Sequence, residues 1–237
     1  MVGRLGAALV AEAVGTFLFF FVGAGAVVLT THSGDGSPGL VGVALAHGLA
    51  LAVLVSAFGA ISGGHFNPAV TVAVRLAGRI GWSHAVMYVV AQLVGAVAAG
   101  LALRFVFPES SWGPTNIGTP ALGGGISIGA GIAIEAVMTL LLVLAVFGTA
   151  IDMRAPKLGG IAIGLALAAD ILMGGPLTGG AANPARWFGP AVASGAYEDW
   201  YVWWIGPLLG AIVAAVLYRY VFQGEAEPTV TPATPEG

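Results

Sequence analysis

Twice in this chain a glycine pair stands two residues ahead of Asn-Pro-Ala, and each copy lies between apolar runs of membrane length. The copies are Ser62-Gly63-Gly64-His65-Phe66-Asn67-Pro68-Ala69-Val70 and Thr178-Gly179-Gly180-Ala181-Ala182-Asn183-Pro184-Ala185-Arg186. Two glycines permit a tight turn. Proline at the first helical position costs nothing, because its missing N–H would be unpaired there anyway. Each motif therefore opens a helix, over about Pro68–Ala77 and from Pro184 to about Val192. A turn and a half-length helix at membrane depth are tolerated only where they are buried in protein or line a wet cavity. Aligned on the asparagines, Ser62 faces Thr178 and Val70 faces Arg186, so the charge occurs in one copy only.

Composition identifies the solvent. Of 237 residues 58% are hydrophobic and 8% charged, where a soluble domain carries about 25% charged residues. This is an integral, multi-pass membrane protein. A net charge of −3 gives no reason to expect nucleic acid as a partner. The absence of cysteine excludes disulfides, thiolate metal sites and cysteine catalysis, and His32, His47, His65 and His84 are not in metal-ligand spacing. No metal, cofactor or enzymatic activity is expected.

Spans are read at about Ala7–Thr31, Gly39–Ile61, Trp82–Phe107, Ile126–Ile151, Lys157–Pro176 and Trp200–Phe222. A Gly/Pro/Ser-rich stretch, about 108–125, reads as a loop connector between half one (about 5–107) and half two (about 126–223) of a single domain, 1–223. Residues 224–237 read as a disordered tail. Glu12-Ala13-Val14-Gly15-Thr16 matches Glu135-Ala136-Val137-Met138-Thr139, and Ala91–Ala96 matches Gly206–Ala211. Three spans per half make the repeat an inverted one. The expected fold class is an all-α membrane protein with six transmembrane helices plus two half-helices. Arg4, Arg75, Arg79, Arg154, Lys157 and Arg219 share one side if both termini are cytoplasmic, leaving Arg104 and Arg186 as exceptions. At 1.5 Å per residue Arg186 lies about 4–5 Å outside the midplane, with His47 and Ile171 at roughly similar depth.

The doubled motif, the repeat and the half-helices resemble the aquaporins (the major intrinsic protein family) over nearly all of residues 5–223. The resemblance implies a passive channel for water and small neutral solutes that excludes protons and ions. It also implies a homotetramer in a lipid bilayer, each protomer with its own pore. The family's offsets place the outer selectivity filter at His47, Ile171, Gly180 and Arg186. That quartet is similar to the filter of plant tonoplast intrinsic proteins, associated with ammonia as well as water. The expected location is the plasma (inner) membrane. A glycerol-type facilitator is the alternative; Trp187 replaces the Asp of that branch, whereas Ala191, Trp203 and Trp204 match the water type.

Asn67 and Asn183 each offer an amide N–H₂ to a passing oxygen at the positive end of a half-helix. Carbonyls at about 63–66 and 179–182 would supply acceptors. Glu12 and Glu135 read as acceptors that tie down the loops, with His65 as a further support, donating to a backbone carbonyl or lining the cytoplasmic vestibule. On residues alone His47 is as readily a satisfied interior histidine, and Ile171 plain packing. Asp170 reads as paired with a loop donor, His47 or Arg186, and Trp187 as leaning on Arg186 or packing outward. A proton-coupled carrier using Glu12, Glu135 and Asp170 is the reading from another class. With no cysteine in the chain and Gly180 where many members carry one, mercurials will leave osmotic water flux in proteoliposomes unchanged; block reversed by thiols would contradict this.

Overall fold

The computed structural model describes residues 3–154 and 158–222. The tail expected from 224 and the start of a span at Lys157 lie outside the described residues. The described residues form six membrane-length helices and two half-helices. The spans are α1 (Arg4–His32), α2 (Gly39–Ser62), α4 (Trp82–Val106), α6 (Ile128–Val146), α7 (Gly159–Thr178) and α9 (Val202–Leu217). The half-helices are α3 (Pro68–Leu76) and α8 (Pro184–Ser194). Turns of π-helix lengthen two spans, at Phe147–Ile151 after α6 and Tyr218–Phe222 after α9.

Each span turns branched apolar side chains to the lipid and buries small residues, aromatics and a few polar groups inward. Helix α1 turns Val10, Val14, Leu18 and Val22 outward, four residues apart, and buries Gly15, Thr16, Phe19 and Gly23. Helix α2 does the same with Val41, Leu45, Leu49 and Val53. Lipid tails are as apolar as leucine, so the bundle is held by close packing of small residues rather than by expulsion of water. Where α2 crosses α7, a Cβ on Gly48 would lie 2.6 Å from the Gly164 carbonyl, and one on Gly164 would overlap the Gly48 carbonyl. The repeat copies a second contact: a Cβ on Gly95 would run into the carbonyl of Ala13, and one on Gly210 into that of Ala136.

Two expectations need correcting. Helix α7 does not stop at Pro176 but runs through it to Thr178. The last turn is held because Gly179, left-handed at φ 80°, donates its N–H to Gly175 O at 3.0 Å, and the Thr178 hydroxyl is bonded elsewhere in the core. The connector is not plain loop. It contains α5 (Glu109–Trp112) and a short 3-10 turn, Asn116–Gly118. Asn116, Ile117 and Gly118 all have positive φ (47°, 56° and 72°), a costly conformation for a β-branched residue. It persists because Ile117 is fully buried in a cluster with Ala24, Leu103 and Ala193.

The two π-turns meet at one end of the bundle. The Phe147 and Tyr218 rings stack with centroids 5.1 Å apart, and Tyr218 donates its hydroxyl to Asp152 Oδ2 at 2.6 Å. Arg154 binds the same carboxylate at 2.7 Å. The Arg154 side chain, then the Tyr218 hydroxyl, hold the Asp152 carboxyl well below the usual carboxylate range. Its contribution is therefore complete above about pH 4 and lost only as pH falls through that lowered value.

Gly164→Leu must force α2 and α7 apart, whereas Gly129, with nothing within 4 Å of where a Cβ would stand, has room. Overpacking of this kind costs about 1–3 kcal/mol or more. The melting temperature in detergent will fall clearly for Gly164→Leu and stay unchanged for Gly129→Ala.

Candidate functional site

Asn67 and Asn183 are the N-caps of the half-helices, both in extended conformation (φ −156° and −164°). Each side-chain oxygen accepts from the second helical N–H, Ala69 at 2.8 Å and Ala185 at 2.9 Å, as Asn at this position does. Each Nδ2 then crosses to the other loop: Asn67 donates to Ala182 O at 2.9 Å and Asn183 to Phe66 O at 3.0 Å. The second N–H of each amide has no partner among the described residues. Both asparagines line one narrow cavity, with Phe19, Leu51, Val55 and Leu167 among its apolar walls.

The residues ahead of the asparagines, Phe66 and Ala182, sit in the left-handed region at φ 47° and 46°. Each is held by a buried carboxylate. Glu12 accepts from the backbone N–H of His65 (3.0 Å) and Phe66 (2.8 Å), from the Ser62 hydroxyl (2.6 Å) and from Gln92 Nε2 (2.7 Å). Glu135 accepts from Ala181 (3.0 Å), Ala182 (2.7 Å) and the Thr178 hydroxyl (2.7 Å). The hydroxyls also take the Gly64 and Gly180 N–H groups. Tyr88 caps the Ser62 carbonyl as Trp203 caps that of Thr178. Position by position, the second loop repeats the bonding of the first.

Of the two roles expected for His65, the carbonyl donor is not the one observed. Its ring does not donate to a backbone carbonyl. Nδ1 lies 3.1 Å from the Thr71 hydroxyl, which itself donates to Asn67 O and accepts from Gln92. The ring lines the same cavity as the asparagines.

Arg186, 3% exposed, donates from Nε to His47 Nε2 at 2.9 Å and from Nη1 to Gly118 O at 2.7 Å. Since a guanidinium only donates, His47 Nε2 must accept. The imidazole proton is then on Nδ1, which lies 2.9 Å from Val43 O. Ile171 is packed against Gly180: a Cβ there would lie 3.2 Å from Ile171 Cα. Ile171, Arg186 and Gly118 line a second cavity of about 330 Å³ that reaches Thr30, Leu40 and Pro120. His47 is buried, 2% exposed.

Trp187 does not lean on Arg186. It stacks on Trp203 with centroids 5.8 Å apart and planes 7° from parallel. Asp170 pairs with neither His47 nor Arg186; its Oδ2 is buried without a hydrogen-bond partner among the described residues. Arg104, the other basic exception, donates to Ala193 O at 2.7 Å.

Sequence reasoning missed several members of the site. Tyr88, Trp203 and Gln92 were findable, because the repeat aligns the first two and a lone amide in an apolar span needs a partner. Nothing in the sequence marks Gly118 as the carbonyl that holds Arg186.

Paired half-helices capped by asparagine, inside an inverted repeat of spans, define a membrane channel of the aquaporin type. The family model for Major intrinsic protein matches residues 4–218, and the chain belongs to that family. Aquaporin TIP4-4 from Zea mays is 42% identical over 229 residues, covering 93% of this chain and 89% of the relative. Aquaporin TIP2-1 from Arabidopsis thaliana is 41% identical over 227 residues, with coverage of 93% and 89%. Aquaporin TIP2-1 from Zea mays is 45% identical over 224 residues, with coverage of 92% and 88%. The fold is shared with the X-ray structure of the aquaglyceroporin from Plasmodium falciparum (TM-score 0.81, 22% identity, 92% of this chain and 97% of that one). A multi-pass membrane protein is thus established, but relatives bearing the tonoplast designation give no support to the expected plasma-membrane location.

Glu12→Gln sets an amide N–H₂ against a site where four donors converge, leaving buried donors unmet at about 1–3 kcal/mol each. Thermal melting in detergent and osmotic flux per protomer will both fall. Unchanged values in both would remove Glu12 from the loop clamp.

Proposed function

We propose that the chain is a passive channel for water and small neutral solutes, ammonia among them, that excludes protons and ions. One observation carries this reading: two asparagine amides, each with one N–H committed to the opposite loop, line a single cavity at the convergent ends of α3 and α8. The remaining N–H groups are donors for a passing oxygen. Each half-helix contributes roughly half a positive charge at that point. A monovalent cation is opposed by that field and by the loss of its own hydration. A neutral molecule meets no such term. A proton carried along a water file meets the same field.

His47, Ile171, Gly180 and Arg186 form the filter in this reading. Gly180 and Ile171 leave space where a bulkier pair would narrow it, which favours ammonia beside water. A glycerol-type facilitator is disfavoured because Trp187 and Trp203 are packed against each other at this level of the bundle. Both termini are cytoplasmic, consistent with the basic residues gathered at that side. The protein assembles as a homotetramer with one pore per protomer, using part of the apolar outer faces.

Stopped-flow measurements on proteoliposomes test the proposal. Osmotic shrinkage and internal alkalinisation after an ammonium pulse will both be faster than in bare liposomes, and His47→Phe will slow the second more than the first. Fast water without an ammonia signal would leave a water channel only. Flux in neither assay would overturn the channel reading for this chain.

A further inference from the structure

Gly23 of α1 lies directly against the imidazole of the filter residue His47. A Cβ on Gly23 would lie 2.5 Å from Nε2 of His47, 2.8 Å from Cγ and closer still to Cδ2. These are not the ends of a flexible chain that can swing away cheaply. The ring is pinned by Val43 O at Nδ1 and by Arg186 at Nε2, both at 2.9 Å. One helical turn before Gly23, Phe19 meets it edge-on, with centroids 6.1 Å apart and planes at 85°. Gly23 is thus the floor of a slot between α1 and α2 that admits the imidazole.

We infer that Gly23 is a specificity-determining position: by leaving the slot open it lets the His47 ring seat back against α1 with its Nε2 under Arg186, so the filter stays wide enough for solutes other than water. The inference rests on the filter proposed above. Its physical content is a choice between two places for one ring. With no side chain at 23, the ring lies in the slot, both nitrogens are satisfied and Arg186 is held from two sides, by His47 and by Gly118 O. With even a methyl group at 23, the ring and that methyl claim the same volume. The imidazole must then rotate out of contact with Val43 O and Arg186 Nε, and the open direction is the pore. Arg186 keeps only Gly118 O and gains freedom to swing. Gly23 is therefore a positioning residue that acts through His47. Its effect must vanish when the imidazole is absent.

Gly23→Ala, His47→Ala and the double variant, reconstituted beside wild type, test this. Gly23→Ala will lower the ratio of ammonia to water permeability about tenfold, the scale on which a pocket discriminates one small group. The same substitution made in His47→Ala will leave the ratio unchanged. Equal losses in both backgrounds would show that Gly23 matters only for packing of α1 on α2, and would overturn the inference. Should wild type conduct water but no ammonia, the ammonia reading fails, and water permeability alone supplies the same cycle. Independently of conduction, side-chain nitrogen NMR of His47 in lipid will show a protonated Nδ1 and a hydrogen-bonded, unprotonated Nε2 in wild type. That pattern must be lost in Gly23→Ala; its persistence would overturn the inference.

Discussion

The structure depends on two buried carboxylates that hold irregular backbone in the middle of a membrane. In hydrocarbon every N–H and C=O must find a partner inside the protein, and the turns ahead of Asn67 and Asn183 have none of their own. Phe66 and Ala182 sit at positive φ, so two successive N–H groups in each loop point the same way and make a small anion-binding concavity. A glutamate reaching in from α1 or α6 fills it with two oxygens. The carboxylate is expensive to bury alone and the loop is expensive to bury without it; each removes the other's penalty. Without that pairing neither half-helix could begin at the centre of the bundle.

The inverted repeat preserves this constraint more faithfully than it preserves the residues. In half one the loop carries the large Phe66, and α1 makes room with Gly15, whose Cβ would fall inside that ring. In half two the loop carries Ala182, and α6 offers Met138 at the matching place, which packs on Gly174. Bulk has moved from loop to span while the backbone path is unchanged. Gln92 adds a fourth donor to Glu12, where Pro207 gives Glu135 none. The halves are equivalent in geometry and unequal in chemistry. Arg186, which has only Val70 opposite it, is where that inequality reaches the pore.

Much of this was legible in the sequence because it rests on rules with local signatures. Span lengths, the Asn-Pro caps and the repeated Glu-Ala-Val follow from backbone bonding and hydropathy, and the helices lie within a few residues of their expected bounds. What was not legible depends on tertiary approach. Pro176 reads as a helix end, yet contacts of Thr178 with Glu135 and Trp203 carry the helix past it. The connector reads as loop, yet burial of Ile117 orders it and aims the Gly118 carbonyl at Arg186. His65 reads as a carbonyl donor or a vestibule residue and His47 as an interior or a filter histidine, and only the fold supplies the Thr71 hydroxyl for one and the slot beside Gly23 for the other.

The partners of Arg186 bear on why the guanidinium can act as a charge at all. A buried arginine is most simply stabilised by a carboxylate, and Asp170 stands next to Ile171. Yet the bonds Arg186 makes go to an imidazole nitrogen and a backbone carbonyl, both neutral acceptors, and the Asp170 Oδ2 has no hydrogen-bond partner among the described residues. An ion pair would have satisfied the donors and cancelled the field together. Neutral acceptors satisfy the donors without a direct ion pair, so the positive charge is opposed through space, by Glu135 beneath the second loop, rather than by a contacting carboxylate. Loss of His47 should therefore weaken the hold on Arg186 without removing its charge, and in the proposed channel solute selectivity would change before ion exclusion does.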